Sequence, residues 1–569
     1  MMPWQVLIES DVAGRSNHTV VGRLENNLMT PLRADRDFAP EDVEAFLMAG
    51  YWNDDTLGNW LRNWSEEDPD APQIIGLEGT LTNLEVYDRA QRMAGALLSM
   101  GIVKGQAVGI QMANTPEFII TYYGIALMGG VLLTMHMPYR AHEMAPLLNH
   151  GRAVAVVCEP ATEKYDAPGT MRELKRVVPT LEHVIVGPGG SVPNDCVSLA
   201  EMLQADPGVE INNPPNAADP VLLCFTSGTA AAPKAVLRNY HSALANGRIY
   251  GEAINIDRQD RIMVVPPFSH VFGLCCLHSG LAYGAPTVLL RAFTPELFVE
   301  VVERYQPTLL FSSPAPVAAT LKSGLLTGDL VSVRQAVLAG SIVPPAVSQA
   351  LEERMPNGKV GGLFGMTEII LTTATPLEGS IDERHHSTGR PVRGMEVRVT
   401  SPESGQVLEV GEEGELEIRG YSVMSGYLNN AQANSDAFTE DNFFKTGDLA
   451  IVDVDQNVRI TGRVKDIINR GGVKINPTDI ENLIAAHPAV TLAAIAPMGD
   501  DIMGEKACLF VTLAPDASLT FDQVIDYLSA AGIAKLRWPE QLEVVDDMPM
   551  TPTKKVMKHV LTGMVSARS

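Results

Sequence analysis

Cysteine is scarce in this chain, and nothing in its spacing marks a centre. Six cysteines occur among 569 residues, Cys158, Cys196, Cys224, Cys275, Cys276 and Cys508, with no C-x-x-C pair and no Cys/His cluster at zinc-finger spacing. Buried apolar thiols in a reducing compartment are the expectation. Positive charge is also in deficit: 43 Lys and Arg against 68 Asp and Glu give a formal net charge of -25. Such a field repels polyanions, so neither nucleic acid nor an anionic membrane is expected as a partner. An anionic ligand would need basic residues gathered locally. Long apolar runs are missing too. The greasiest segment, IALMGGVLLTMHM from Ile125 to Met137, is too short to cross a bilayer and contains a histidine. The opening MMPWQVLIESDVAGRSN carries acid early and lacks the apolar core of a secretory signal. No transmembrane segment and a cytoplasmic location are the expectations.

What is present points to burial. The chain is 46% hydrophobic and only 20% charged, which argues against disorder, and its length calls for two or more domains. In LTNLEVYDRAQRMAGALLSMGI, Thr82 and Glu85 can form a capping box. Val86, Ala90, Met93, Leu97 and Met100 recur at helical steps, and Gly101 ends the run. Short Val/Ile/Leu runs then alternate with helical stretches: AVGIQM, VLLTM, RAVAVVCE, LEHVIVG, PVLLCFT, DRIMVVPP, PTVLLR, PTLLFSS and RQAVLAG. Runs without a polar face suit strands covered on both sides, hence a layered α/β body with mixed, mainly parallel sheets. Ligands in such sheets bind beyond the carboxyl ends of the strands. From about residue 396 the texture becomes that of antiparallel strands with Gly-containing turns. A smaller α+β pattern follows, in which Asn476, Pro477 and Asp479 suit N-cap, N1 and N3 of a helix. The expected partition is a large domain over 1–464 and a small one over 465–569.

CFTSGTAAAPKAVLRNYHS, Cys224 to Ser242, resembles a phosphate loop but breaks the G-x-x-x-x-G-K-[ST] rule: Pro233 precedes Lys234, and Ala235 stands where a magnesium-binding hydroxyl should be. The apolar run before it leads into Thr226, Ser227, Gly228 and Thr229, where hydroxyls and backbone N–H groups can converge on an anion. Its companions are GGLFGMTE, GELEIRG with GYLNN, KTGDL, GRVKDIINRGGVKINPTDIE and PMTPTKKVMK. With these segments in order, the chain from roughly Gly50 to Lys558 resembles the adenylate-forming superfamily of acyl-CoA synthetases, peptide-synthetase adenylation domains and luciferases.

The resemblance implies a distorted antiparallel barrel-like region in the large domain and a mobile small domain. It also implies roles for particular residues. Thr226, Ser227, Gly228, Thr229 and Lys234 would hold the β and γ phosphates of ATP, Phe364 would stack on adenine, and Thr367 would approach the α phosphate. Glu368, with Thr229, would attend Mg2+. Asp448 would take the ribose hydroxyls beside Arg463, Lys465 would be the hinge, and Gly471 and Gly472 would border the thiol channel. Lys555 would bring a permanent cation to two repelling anions, the carboxylate and the α phosphate. The acyl pocket would comprise Phe268, His270, Val271, Phe272, Leu338 and Leu363, and Gly340 and Ser341 would border adenine. Lacking an acid near position 225 to pair an ammonium, this pocket implies an apolar acid: fatty, alicyclic or aromatic.

The implied activity is an acid:CoA ligase acting through an acyl adenylate, using ATP, Mg2+ and coenzyme A. Alternatives are an acyl-AMP ligase loading a carrier-protein thiol and a weakly catalytic adenylate-binding relative. A homodimer is compatible with the sequence. Ala230, Ala231 and Ala235 replace a hydroxyl and two glycines of the family loop, and Lys554 replaces a glycine before Lys555.

Overall fold

The computed structural model describes residues 32–206, 209–226, 233–470, 473–500, 503–551 and 555–566. Two seven-stranded sheets dominate. In the first, the order is Val197–Ser198, His183–Val186, Ala155–Cys158, Ala107–Gln111, Val131–Thr134, Pro220–Thr226 and Lys234–Asn239; all neighbours are parallel except the last pair. In the second it is Lys359–Gly362, Gln335–Leu338, Leu309–Ser312, Ile262–Val264, Thr287–Leu289, Pro72–Gly76 and Gly79–Thr82, again parallel except for the final hairpin.

Side-chain alternation along these strands makes a five-layered body. Val108 and Ile110 of one sheet and Ile262, Val264, Leu309 and Phe311 of the other face a central layer of helices, among them Asn83–Ser99, Pro116–Leu127, Tyr240–Ala253 and Val271–Tyr283. Ala107 and Leu133 face an outer layer on one side, and Met263 and Leu310 on the other. Strands covered on both faces have no polar side to show, which is why they read as unbroken apolar runs. The helix at Asn83–Ser99 carries the expected Thr82–Glu85 capping box. Thr115 and Thr294 cap the helices that begin with Pro116 and Pro295, where a missing N–H costs nothing.

A four-stranded antiparallel sheet follows: Met395–Thr400, Glu413–Gly420, Phe444–Val452 and Val458–Arg463. Beyond the short 3-10 turn Val464–Asp466 lies a smaller unit. Its sheet runs Val473–Ile475, Ile468–Arg470, Gly504–Leu513 and Val490–Asp500, with Gln541–Val544 added in parallel to Gly504–Leu513. Ile495, Leu509 and Val511 pack on one face of it, and Ala494, Ala496, Cys508 and Phe510 on the other. Its first helix begins one residue later than the sequence pattern suggested: Pro477 is the N-cap of Thr478–Ala485, and Asn476 accepts the Thr478 N–H at 3.2 Å from the loop before it. An Asx turn has displaced the simple cap.

All six cysteines are free and five are buried, while Cys196 is half-buried. Among the described residues, no helix is long and apolar enough to cross a membrane.

Candidate active site

The strand Pro220–Thr226 and its antiparallel neighbour Lys234–Asn239 pair so that Thr226 lies opposite Lys234. Ser227, Gly228, Thr229, Ala230 and Ala231 between them lie outside the described residues, as do Gly471, Gly472 and Lys554. Ala235 lies within the ladder opposite Phe225, 1% exposed, and its carbonyl accepts the Leu428 N–H at 2.9 Å. An extended position needs no glycine, so the extra methyl carries no backbone penalty there.

Lys234 places its ammonium 4.8 Å from the centre of the Tyr427 ring. The Tyr427 hydroxyl donates to Glu368 Oε1 at 2.9 Å. Glu368 is 4% exposed. Burial raises its pKa, opposed chiefly by the Tyr427 hydrogen bond and then by the Arg238 and Lys234 charges. The backbone around it is bent hard. Ile370 adopts φ 59°, a left-handed conformation rare for a β-branched residue, and Gly365 crosses so close to it that a Cβ there would lie 2.2 Å from the Ile370 carbonyl oxygen. The turn therefore needs glycine at 365, and it brings Phe364, Thr367 and Glu368 together just beyond the edge strand Lys359–Gly362. Phe364 and Thr367 are 9% and 8% exposed, and the Phe364 N–H is fixed by Thr373 Oγ1 at 2.7 Å.

Asp448 and Arg463 are register partners on adjacent strands, and Arg463 Nε bonds Asp448 Oδ1 at 2.8 Å. The Asp448 charge raises the Arg463 pKa. Burial of Asp448 pushes its own pKa up, opposed by Arg463 and by Lys555. Lys555 belongs to the small C-terminal unit, yet its electrostatic neighbours are Arg463, Asp448, Glu368 and Lys465. Its side chain is reached by solvent, and its described anchors are local: its N–H donates to Thr551 Oγ1 at 3.0 Å and its carbonyl accepts the Thr551 N–H at 2.7 Å. Crowding by the surrounding protein lowers the Lys555 pKa most, with Arg463 adding to the effect. Lys558, one turn on, bonds Glu481 at 2.7 Å and Asp466 at 3.5 Å. The acidic chain thus does assemble a basic cluster of Lys234, Arg463, Lys465 and Lys555 at one place.

His270 caps the helix Val271–Tyr283: its Nδ1 accepts the Phe272 N–H at 3.2 Å. In the neutral ring the proton therefore sits on Nε2, a donor available to a ligand. Desolvation, with His136 and Lys555 nearby, lowers the His270 pKa to about 3. The His136 ring stacks on it at 6.2 Å and its Nδ1 bonds Ser269 Oγ at 2.9 Å. Sequence reasoning missed His136, whose partner is 133 residues away and which no motif marks. It also missed Tyr427, although this residue sits inside GYLNN.

Phe268, Val271, Phe272 and Leu363 are all buried in the central core near His270. Leu338 is not with them. It packs in the outer core with Leu310 and Val317, while its neighbours Val337 and Ala339 face inward. This is strand alternation: the motif LAGSIV names the right strand end, but only every second residue can face the site. Gly340 turns there with φ 88°, and Ser341 is exposed.

Among the described residues, no group of three or more His, Cys, Asp or Glu side chains could hold a metal by itself. One buried carboxylate, Glu368, beside a basic cluster fits a Mg2+ bound mainly through phosphate oxygens and water rather than in a protein cage.

The family model for the AMP-binding enzyme matches residues 61–428, and that for the AMP-binding enzyme C-terminal domain matches 479–555. A salicyl-AMP ligase/salicyl-S-ArCP synthetase of Mycobacterium tuberculosis is 30% identical over 537 residues, covering 92% of this chain and 93% of that protein. A medium-chain fatty-acid–CoA ligase of Escherichia coli is 26% identical over 531 residues, covering 92% and 93%. In fold, the chain superposes on an anthranilate CoA ligase in complex with anthranoyl-AMP with a TM-score of 0.83, at 21% identity and covering 90% of this chain and 98% of that one.

Proposed function

Because the chain belongs to the AMP-binding enzyme family and is an AMP-forming acid–thiol ligase, we propose that it activates an apolar carboxylic acid and transfers it to coenzyme A. The observation that carries this reading is Lys555 in electrostatic reach of Asp448, Glu368 and His270, residues of the large body. The large domain would end at 464 and the small one begin at Lys465, about which it turns between the two steps.

In the first step a carboxylate oxygen attacks the α phosphorus of ATP and the bond to the bridging oxygen breaks, releasing pyrophosphate and leaving an acyl adenylate. Attack brings two anions together. The Lys555 ammonium would lie between them and stabilise charge that grows on the equatorial oxygens, while Thr367 donates its hydroxyl to the α phosphate. Asp448 would receive the ribose hydroxyls, Phe364 would cover the adenine, and Thr226 and Lys234 would hold the outer phosphates. Glu368 would hold Mg2+, which would screen the phosphate charge. His270 Nε2–H would donate to the acid's carboxylate, with Phe268, Val271, Phe272 and Leu363 excluding water around its apolar part. In the second step the coenzyme A thiolate attacks the acyl carbon and AMP leaves.

Burial of Phe268, Val271, Phe272 and Leu363 among apolar neighbours supports an apolar acid. A panel of fatty, alicyclic and aromatic acids with ATP, Mg2+ and coenzyme A, read by mass for AMP and acyl-CoA, tests the reading. Acid-dependent AMP with no acyl-CoA would reject coenzyme A as acceptor. That outcome favours a carrier-protein thiol, a reading supported by the carrier-loading salicyl-AMP ligase, which matches along nearly its whole length.

A further inference from the structure

Arg238 is 1% exposed, in the edge strand Lys234–Asn239, whose other interior residues are apolar. Among the described residues it has no carboxylate within ion-pairing distance. Its guanidinium instead bonds main-chain carbonyls: Nε and Nη2 to Thr367 at 3.2 and 2.6 Å, and Nη1 to Ser422 at 2.8 Å. Burying an arginine with no carboxylate in contact is expensive even with the Glu368 charge acting on it at longer range, and an apolar residue would fill this position at less cost. Burial lowers its pKa only to about 10, so the cation persists at neutral pH.

The two carbonyls it holds belong to the two segments that build the Glu368 environment. One is the strained turn Thr367–Ile370. The other runs from Ser422 to Tyr427, and it returns the grip. The Ser422 hydroxyl donates to the Ile369 carbonyl at 2.8 Å, the Met424 N–H to the Glu368 carbonyl at 2.8 Å, and the Tyr427 hydroxyl to the Glu368 carboxylate. Asn246 fixes the far end, its amide donating to the Leu371 carbonyl at 2.7 Å. Among the described residues, Arg238 is the one side chain from outside the two segments that binds both at once. A neutral side chain could not donate in three fixed directions from one planar fork.

We propose that Arg238 is a positioning residue for adenylation: by clamping the Thr367 and Ser422 carbonyls it fixes where the Thr367 hydroxyl and the Glu368 carboxylate point. The proposal rests on the roles given above to Thr367 and Glu368. Loss of the clamp lets the strained turn relax, so contacts to the phosphates and their cation weaken, while adenine and ribose contacts through Phe364 and Asp448 stay as they are.

The test is calorimetric titration of the full chain with two probes, Mg2+ with α,β-methylene-ATP and adenosine alone, for the native protein, Arg238→Met, Arg238→Lys and Glu368→Gln. Arg238→Met is expected to weaken the magnesium–nucleotide probe at least about tenfold and adenosine by less than about twofold. Arg238→Lys, able to reach one carbonyl but not both, should recover part of the loss. An unchanged ratio of the two affinities in folded Arg238 variants, whatever happens to their melting temperature, overturns the proposal. Should Arg238→Met fail to fold, Arg238→Lys and Arg238→Gln read the same ratio. If Glu368→Gln leaves the ratio unchanged, the role given to Glu368 fails. If it weakens the probe while the Arg238 variants do not, the clamp alone fails.

Discussion

The large body and the small C-terminal unit hold their site residues in opposite ways. In the body, Glu368 is 4% exposed and its turn is gripped by Arg238, Ser422, Met424 and Tyr427; Asp448 is locked in register with Arg463. Lys555 of the small unit is open to solvent, its main chain bonded only to Thr551 among the described residues, and its electrostatic neighbours all belong to the segment before residue 466. Groups whose geometry must be ready before ATP arrives sit in dry, close-packed layers. The group proposed to come and go sits on a unit whose two cores are small, joined by a short linker. The contrast teaches that preorganisation and delivery are assigned to different folds within one chain.

The sharpest way to break this contrast is to remove the delivered charge. Lys555→Ala is expected to slow pyrophosphate exchange by about 10²-fold or more, yet to form acyl-CoA from supplied acyl adenylate within about twofold of the native rate. Equal loss in both assays would show that Lys555 is part of the fixed machinery. The same residue sets the alkaline side of the pH profile. Its pKa is lowered, and adenylation needs the charged form, so the rate should fall at lower pH than for a free lysine, and Lys555→Arg should remove that limb.

Next in size is the fixed side. Asp448→Asn keeps the shape but weakens the partner of Arg463, and AMP affinity measured by calorimetry is expected to drop about tenfold. No change would mean that the ribose lies elsewhere.

Dry packing also has an acid limit. His278 is fully buried, bonds the Tyr122 hydroxyl at 2.8 Å, and has its pKa lowered by burial to about 4. Below pH 6.5 the unfolded chain takes a proton on this residue that the folded one refuses, so stability falls as pH drops from about 6.5 towards 4. Its share at pH 5 is about 2 kcal/mol. Denaturant titrations at pH 7 and pH 5 should show a smaller drop in His278→Gln; an equal drop would place the acid sensitivity in other groups.

The smallest effect belongs to the small unit. Lys558→Met removes partly buried pairs with Asp466 and Glu481 and should cost about 1 kcal/mol or less in the local stability of that unit, read by hydrogen exchange. A global loss of structure would mean that the two units share one cooperative core.

Much of this architecture is legible in the chain itself because strands buried on both faces leave unbroken Val/Ile/Leu runs and capped helices announce their starts. Thr82 with Glu85 and Thr115 with Pro116 are such cases. Local motifs also locate Glu368, Asp448, Arg463 and Lys555. What stays hidden depends on contacts across long separations. Arg238 meets Thr367 over 129 residues and Ser422 over 184, and His136 meets Ser269 over 133. Leu338 was misplaced for a different reason: a motif names a strand, but the side each residue faces is settled only once its sheet is built.

The ion pairs of Lys558 carry a mechanical consequence. By holding Asp466, at the end of the linker, to Glu481 in the first helix beyond it, they make Asp466 travel with the smaller unit as part of its lever arm. The torsions free to swing that arm are then confined to the residues between Arg463, pinned by Asp448, and Asp466. On the proposed turning about Lys465, the pivot would be two residues long, Val464 and Lys465, with Lys555 carried at the far end.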